Sequence, residues 1–303
     1  MIEKNKQLLT RAEDRISFLY IDKARIEQTE YGVAVVQKDK TIELPITTIN
    51  CIILGPGSTV THKALCNIAS AGCSICVMGM EMAAFYLYGE PATKKSKNLL
   101  LQMKYHEDKN LHLRVVHKMY EIRYPDGHFK SKSVEELRGI EGQRVKDCYQ
   151  LNADKYHVVW NGREYDKDDF SGQDLPNQYL TGLNHVFYGI ITAVVTVLGF
   201  SPAIGFIHTG HMQSFIFDLA DLYKEKYIIP LAFQLVAEGY YDRQTMLTRL
   251  RRVVYEEKLM SKIVNDIFSL FEVIEDDESI EVELKLWGDK NFGISGKNYA
   301  NEP

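Results

Sequence analysis

The sequence predicts an α+β fold, in which a small N-terminal β domain precedes a larger all-α C-terminal domain. Short β-branched or apolar segments separated by turns fill the N-terminal region. Further along the chain, apolar residues recur at the 3.6-residue spacing of helices instead. We therefore divide the chain into a β domain at 1–92, an α domain at 93–272 and an acidic tail at 273–303 that is flexible by itself.

The β domain contains several predicted strands and one predicted helix. The strands are Ile16–Ile21, Val33–Gln37, Thr41–Ile46, Cys51–Leu54, Ser74–Met78 and Ala84–Tyr88. The helix follows Thr61 and covers His62–Ala71. Cys73 and Cys76 have the spacing of a redox or zinc motif, but no second cysteine pair follows and their neighbours are apolar. We interpret them as structural residues around a buried strand.

The α domain contains a series of amphipathic segments. The predicted helices are Asn98–Tyr105, Leu111–Tyr124, Ser133–Tyr149, Asn177–Leu198, Gln213–Lys224, Ala232–Ala237 and Arg243–Phe271. Ser133 and Glu136 have the spacing of a capping box. A hairpin is predicted at Asn161-Gly162. The apolar run Val186–Phe200 is shorter than the roughly 18 residues that a membrane span needs, so it indicates a buried core helix.

Composition limits the class of protein. The chain is 45% hydrophobic and 25% charged, which is typical of a soluble globular protein. Charged and polar residues follow Met1, so no secretory leader is predicted and we expect a cytoplasmic protein without membrane association. The formal charge of −5 is concentrated near the C-terminal end, where residues 272–302 contain nine acidic residues and three lysines. Basic residues cluster locally elsewhere in the chain. These patches are either solvated helix faces or contacts to phosphates, so the net negative charge does not exclude a nucleic-acid partner.

A pair of aspartates on one predicted helix is the first candidate for chemistry. Asp218 and Asp221 are three residues apart, so their side chains share a face among apolar neighbours. Two carboxylates there are costly unless they meet a cation, a metal or hydrogen-bond donors. Pairing with Lys224, Lys226 or a distant arginine is the alternative to a metal site.

Two further residues extend this candidate site. His208 lies in a Thr-Gly loop just before the acidic helix and can face the same site, although a lone histidine is also often purely structural. Glu141 is flanked by Gly139 and Gly142 inside a predicted helix. Each glycine costs about 1 kcal/mol against alanine, so their presence indicates close approach of a backbone or a ligand. Tight helix packing, with Glu141 merely solvated, is the alternative.

Three separated motifs in these regions resemble one known family. They are Arg138-Gly-Ile-Glu141-Gly-Gln-Arg-Val, Trp160-Asn-Gly-Arg163, and Ser201-Pro-Ala-Ile-Gly-Phe-Ile-His208-Thr-Gly followed by Ser214-Phe-Ile-Phe-Asp218-Leu-Ala-Asp221. In this order they closely resemble the CRISPR-associated integrases, the first CRISPR-associated protein family, in its I-E subtype. The resemblance covers residues 14 to 272.

The resemblance implies an activity and a set of partners. Members insert short DNA fragments into a CRISPR repeat array: the fragment's 3′-hydroxyl attacks a phosphodiester at the edge of a repeat. It implies Mg²⁺ or Mn²⁺ bound by Glu141, His208 and Asp221, with Asp218 as a further catalytic acid. It also implies an asymmetric homodimer that contacts its partners partly through the β domain, with two such dimers flanking a dimer of a small companion subunit.

The same resemblance suggests where double-stranded DNA binds. Tyr165 matches a family aromatic near the ends of the fragment, although a tyrosine packed under a hairpin is the alternative. His211 stands where a lysine is common, which weakens a phosphate contact at neutral pH. The remaining candidates for DNA contacts are Arg138, Arg163, Arg249, Arg251 and Arg252.

Two other functions are compatible with these residues. A stand-alone metal-dependent nuclease or resolvase acting on branched DNA would use the same ligands with water as the nucleophile. A DNA-binding scaffold without catalytic activity would not need the candidate acidic residues and His208 to be preserved. The tail adds a separate hypothesis, because Ile280–Leu286 alternates apolar and polar residues as a strand does. We expect it to order by adding to the sheet edge of the companion subunit.

Overall fold

A computed structural model describes residues 16–30, 32–79, 85–89, 96–127, 129, 132–164, 172–240 and 242–272. Within these residues, strands predominate up to Gly89 and helices make up most of the remainder. This confirms the predicted α+β fold class. The exact domain boundaries stay a prediction, and the tail with its predicted strand Ile280–Leu286 lies outside the described residues.

The described strands form two four-stranded sheets. Their bounds are β1 Ile16–Ile21, β2 Arg25–Gln28, β3 Val33–Gln37, β4 Lys40–Leu44, β5 Ile49–Leu54, β6 Thr59–Val60, β7 Ser74–Met78 and β8 Phe85–Gly89. The strand order is β1-β5-β7-β8 in the first sheet and β4-β3-β2-β6 in the second. The sequence did not predict β2 or β6, because β2 buries only Ile26 and β6 has only two residues.

The first sheet is covered on both faces. Cys51 and Ile53 pack into the core that the sheet shares with the helices, whereas Ile52 between them packs toward the second sheet. This alternation is the two-residue period of a strand. Cys73 lies in the second core and Cys76 in the first, and both are buried. The structural interpretation of these two cysteines is therefore confirmed.

Helices carry the rest of the described chain. Their bounds are α1 His62–Ser70, α2 Lys97–Glu107, α3 Lys109–Arg123, α4 Val134–Tyr156, α5 Leu175–Val197, α6 Ser214–Tyr223, α7 Ile229–Ala237, α8 Arg243–Glu256 and α9 Leu259–Leu270. The predicted capping box of Ser133 and Glu136 begins α4. Between α6 and α7 the helix widens into a π-helical turn, Lys224–Ile228.

Three predictions in the α domain were wrong. The helix α4 continues beyond Tyr149, because Asn152 and Ala153 on its next turns are buried. The predicted helix Arg243–Phe271 is two helices, separated where Lys258 adopts a left-handed backbone with φ 50°. Trp160–Glu164 has no regular secondary structure, so the predicted hairpin at Asn161-Gly162 is absent there.

The central helix α5 supports both the core and the site. By length and composition alone this helix could cross a membrane. However, 78% of its most apolar 18-residue stretch is buried inside the protein. It packs closely on the first sheet, because a Cβ at Gly189 would lie 3.1 Å from the Cε of Met78. The predicted core helix over Val186–Phe200 therefore corresponds to the C-terminal half of α5.

Candidate active site

The carboxylate of Asp218 organises the loop that carries His208. Asp218 lies on α6 and is only 1% exposed. Its Oδ2 accepts hydrogen bonds from the backbone N–H groups of Phe206 (2.5 Å) and Ile207 (3.1 Å), and its Oδ1 accepts one from His208 N–H (2.8 Å). A Cβ at Gly205 would lie 2.3 Å from the carbonyl oxygen of His208, so the turn requires glycine. The loop is thus fixed by hydrogen bonds inside the protein.

The same aspartate orients the imidazole of His208. His208 Nδ1 lies 2.8 Å from Asp218 Oδ1, so the ring donates from this nitrogen and leaves Nε2 available. Nε2 lies 3.9 Å from Oδ2 of Asp221. The hydrogen bond to Asp218 raises the pKa of His208; burial opposes this, and the charge of Asp221 reinforces it. The structure therefore brings together three of the four predicted catalytic residues.

The carboxylate of Asp221 is partly neutralised by a neighbour on its own helix. Lys224 Nζ lies 2.8 Å from Asp221 Oδ1. Burial acts to raise the pKa of Asp221, but the charges of Lys224, Arg123 and His208 outweigh it and lower that pKa. Asp221 is therefore ionised at neutral pH. Pairing with Lys224, the alternative raised from the sequence, is realised for Asp221, whereas Asp218 bonds to His208 and the backbone instead.

Glu141 is held by a different kind of contact. Its Oε1 accepts a hydrogen bond from Arg123 Nη1 at 2.5 Å, and its Oε2 accepts one from the Tyr120 hydroxyl at 2.7 Å. Burial raises the pKa of the Tyr120 hydroxyl, and its hydrogen bond to Glu141 raises it further, so this hydroxyl remains a donor. No described atom outside α4 would contact a Cβ at Gly139 or Gly142 within 4 Å. Neither tight helix packing nor the predicted close approach of another backbone is therefore found at these glycines among the described residues. Gly142 lines a cleft, and the approach of a ligand there stays a prediction.

A second glutamate shares the guanidinium of Arg123. Glu225, in the π-helical turn, accepts hydrogen bonds at Oε1 from Arg123 Nε (2.8 Å), from Arg123 Nη2 (2.5 Å) and from the Tyr124 hydroxyl (2.5 Å). The Arg123 side chain is 6% exposed. Burial acts to lower the pKa of Arg123, but the charges of Asp221, Glu141 and Glu225 raise it. Arg123 is thus a permanent cation between two carboxylates.

Glu141 and His208 face the same cleft. Its volume is about 830 Å³, which is within the range of ligand pockets. Trp160 stacks on Tyr149 in the wall, with ring centroids 4.9 Å apart. The basic residues in its lining are Arg138, Lys146, Arg163 and His208. This basic and aromatic lining suits a nucleic-acid strand.

The predicted DNA-binding residues fall into different environments. Arg138 is exposed on α4 and lines the cleft. Arg163 also lines it, but its guanidinium donates to Asn177 Oδ1 (2.8 Å) and Thr181 Oγ1 (2.9 Å) at the start of α5. Tyr165 lies outside the described residues.

The remaining candidates do not form one basic surface. On α8, Arg249 is paired with Glu238, the Arg251 guanidinium packs 5.6 Å from the centroid of the Phe18 ring, and Arg252 is exposed. His211 is exposed and its ring lies 5.0 Å from that of Phe217. Of the three predicted arginines on α8, Arg252 is therefore the most exposed, because Arg249 and Arg251 contact other residues of the protein.

The four predicted catalytic residues approach each other only in part. Among the described residues, no three histidine, cysteine, aspartate or glutamate side chains converge closely enough to hold a metal as they stand. His208 and Asp221 are adjacent, whereas Glu141 lines the shared cleft with its carboxylate paired to Arg123. The donor types are nevertheless those that suit Mg²⁺ or Mn²⁺, namely hard carboxylate oxygens and one imidazole.

Sequence reasoning missed Arg123 and Glu225. The two are 102 positions apart, so no local pattern joins them. One signal was available for Arg123, which follows the buried Tyr120 by three residues and therefore shares its helix face. Glu225 follows Asp221 by four residues, which is the spacing of one helix face, but nothing in the sequence links this acid to Arg123.

Buried carboxylates beside an oriented imidazole, at a cleft with a basic and aromatic lining, are typical of enzymes that act on phosphodiester bonds. The family model described as CRISPR associated protein Cas1 matches residues 120–267. A relative from Chlorobaculum tepidum, named CRISPR-associated endonuclease Cas1 2, is 38% identical over 270 residues, which cover 88% of this chain and 91% of the relative. The chain therefore belongs to the Cas1 family of CRISPR-associated endonucleases.

Solved structures agree with this assignment. The crystal structure of TtCas1 has a TM-score of 0.78 and 32% sequence identity, covering 86% of this chain and 99% of that one. A TtCas1-DNA complex has a TM-score of 0.75 and 30% identity, covering 89% and 100%. The predicted family and its role in CRISPR adaptation are thereby confirmed.

Proposed function

We propose that this protein is a metal-dependent DNA integrase of the I-E subtype that inserts short foreign DNA fragments into a CRISPR repeat array. The arrangement of His208 between Asp218 and Asp221 carries this proposal, because it presents an oriented imidazole Nε2 next to an ionised carboxylate. The three sequence motifs support the subtype. The TtCas1 relative is found in a complex with DNA, which supports DNA as the substrate here.

The proposed cofactor is Mg²⁺ or Mn²⁺, held by Glu141, His208 and Asp221. Charge supports a divalent ion. The site has two fixed cations, Arg123 and Lys224, and four carboxylates, those of Glu141, Asp218, Asp221 and Glu225. With His208 neutral, as a metal ligand must be, these groups have an excess of two negative charges. A bound ion would neutralise this excess and stabilise negative charge on the reacting phosphate.

The protein's own residues supply orientation. Asp218 holds the His208 ring and its backbone, so neither has to reorganise when DNA enters. In the proposed reaction the fragment's 3′-hydroxyl oxygen loses its proton and forms a bond to the phosphorus at the edge of a repeat. The bond from that phosphorus to the 3′-oxygen of the adjoining nucleotide breaks, and this oxygen gains a proton and leaves as a 3′-hydroxyl. One phosphodiester is exchanged for another, so no nucleotide cofactor is needed.

The cleft is the proposed entry for the fragment. Arg138 and Lys146 would neutralise backbone phosphates, and the Trp160 ring would offer a stacking surface for a terminal base. Tyr165 and His211 are proposed to extend the same path, as the motifs suggest. The arginines of α8 are proposed to contact the DNA backbone farther from the cleft, with Arg252 the most accessible.

The proposed assembly is an asymmetric homodimer that binds a small companion subunit in the cytoplasm. One feature supports an interface through the β domain: in β8, at the edge of the first sheet, Tyr86 is 70% exposed and Leu87 is 55% exposed. Exposed apolar side chains on an edge strand are unfavourable in water and are covered in many proteins by a partner. The full assembly would contain two such dimers and one companion dimer.

A joining assay with a site variant tests this function. Labelled fragment, repeat-containing plasmid, companion subunit and Mn²⁺ are incubated with the wild type, Asp221→Asn or the exposed control Glu107→Gln. We expect joined products from the wild type and the control, and at least about 100-fold less from Asp221→Asn, because losing even an outer partner of a metal costs about 10- to 100-fold. Cleavage without joining would instead indicate a stand-alone nuclease, and DNA binding with neither joining nor cleavage would indicate a scaffold. Full joining by Asp221→Asn would contradict the proposed role of Asp221 as a metal ligand.

A further inference from the structure

The contact between Arg123 and Glu141 poses a problem for any ion that binds there. A guanidinium bonded to a carboxylate oxygen at 2.5 Å competes with a metal for the same lone pairs. Arg123 cannot lose its proton, and its side chain is 6% exposed, so it cannot turn into solvent to make room. Something inside the protein must therefore balance its charge when Glu141 binds an ion.

Glu225 is the group placed to do so. Two of the three described hydrogen bonds of the Arg123 guanidinium to carboxylates go to Glu225, through Nε and Nη2, and one goes to Glu141. Tyr124 adds a hydroxyl donor to the same Oε1 of Glu225. The Glu225 side chain is itself only 19% exposed, so its charge is little screened by water.

On this geometry, and resting on the metal-dependent function proposed above, we infer that Glu225 is a positioning residue that sets the metal affinity of Glu141 by holding the charge of Arg123. Because Glu225 already accepts two hydrogen bonds from Arg123, Arg123 is satisfied without Glu141, which is then free to bind a divalent ion. In a Glu225→Gln variant, Glu141 would be the sole described carboxylate bonded to Arg123, and a bound ion would have to compete with a stronger Arg123–Glu141 ion pair.

The alternative is that the Arg123 cluster only ties helices together. Arg123 ends α3, Glu141 lies on α4 and Glu225 lies in the π-helical turn, so the cluster does join three elements. A purely structural cluster predicts that any substitution loosens the site and weakens metal binding. Charge competition instead predicts opposite signs: neutralising Glu225 weakens metal binding, and neutralising Arg123 strengthens it.

The test measures Mn²⁺ binding to the full chain by calorimetry and by electron paramagnetic resonance, without DNA. The variants are Glu225→Gln, Arg123→Gln and the exposed control Glu107→Gln, with folding checked by circular dichroism. Glutamine at 225 keeps an acceptor for Arg123 and Tyr124 while removing the charge. We expect the dissociation constant of Glu225→Gln to rise about 10- to 100-fold, that of Arg123→Gln to fall, and that of the control to stay unchanged.

Unchanged or tighter binding by a folded Glu225→Gln variant would overturn the inference, and so would weaker binding by a folded Arg123→Gln. If Arg123→Gln does not fold, the charge-conserving variant Glu225→Asp decides the matter: Mn²⁺ binding that returns toward the wild-type value supports the inference, and binding as weak as that of Glu225→Gln overturns it. Asp221→Asn is measured alongside. If the wild type shows no Mn²⁺ site that this variant removes, the proposed function fails at its metal step; if the site exists and Glu225→Gln leaves it intact, only the present inference fails.

Discussion

The two halves of the candidate site are built by different forces. On the loop and α6, the buried Asp218 carboxylate accepts hydrogen bonds from three backbone N–H groups and from one imidazole nitrogen. On α4, Glu141 is held mainly by the charge of Arg123 and by one hydroxyl. The first half is fixed by directional hydrogen bonds, whereas the second depends on a balance of charges. We therefore expect the loop half to be destabilised by substitutions that break its hydrogen bonds or crowd its packing. The α4 half should respond mainly to substitutions that change its charges.

The largest difference should appear when each carboxylate is removed. Asp218→Ala would leave one buried and two part-buried N–H groups without their acceptor, at about 1–3 kcal/mol each, so we expect a loss of about 3–5 kcal/mol in the free energy of unfolding. Glu141→Ala leaves Arg123 paired with Glu225 and should lose less than half as much. Urea unfolding with EDTA present measures both. Equal losses would show that the two halves are held alike.

Glycine-to-alanine substitutions should change the free energy of unfolding in opposite directions in the two halves. Alanine at Gly205 would place its Cβ 2.3 Å from His208 O and 2.7 Å from Ser214 Cβ, so we expect destabilisation of about 1–3 kcal/mol. Alanine at Gly142 meets no described atom outside its helix within 4 Å, and should stabilise α4 by about 0.5–1 kcal/mol. Thermal unfolding of the two variants provides the measurement. A stabilised Gly205→Ala would contradict the described loop.

A smaller effect should appear in the pH dependence of the loop half. The pKa of His208 is raised above its ordinary value of 6.5, chiefly by Asp218. The protonated ring therefore contributes stability below that value, and this contribution is lost as the pH rises through the folded pKa. In EDTA, the stability difference between the wild type and His208→Gln should be larger at about pH 5.5 than at about pH 8.5. A difference that grows with pH would contradict the described contact.

The sequence predicted the loop half better than the α4 half, and the physical reason is distance along the chain. Asp218 and Asp221 share a helix face and His208 lies 10 positions from Asp218, so periodicity and proximity placed them together. The bond between Arg123 and Glu225 joins residues 102 positions apart and depends on a π-helical turn that no composition signal predicts. In the fold, β7 was predicted with its observed bounds from its buried residues, whereas β2 was missed because its sequence is mostly polar.

The π-helical turn has a consequence for protein engineering. The N–H of Ile229 bonds to the carbonyl of Lys224, and the next residue, Pro230, has no N–H to continue a regular ladder. A proline that does not line the cleft thus accounts for the wider coil that carries Lys224 and Glu225. Variant libraries restricted to the residues that line the cleft would leave out Pro230, although it directly follows the backbone turn that carries Glu225.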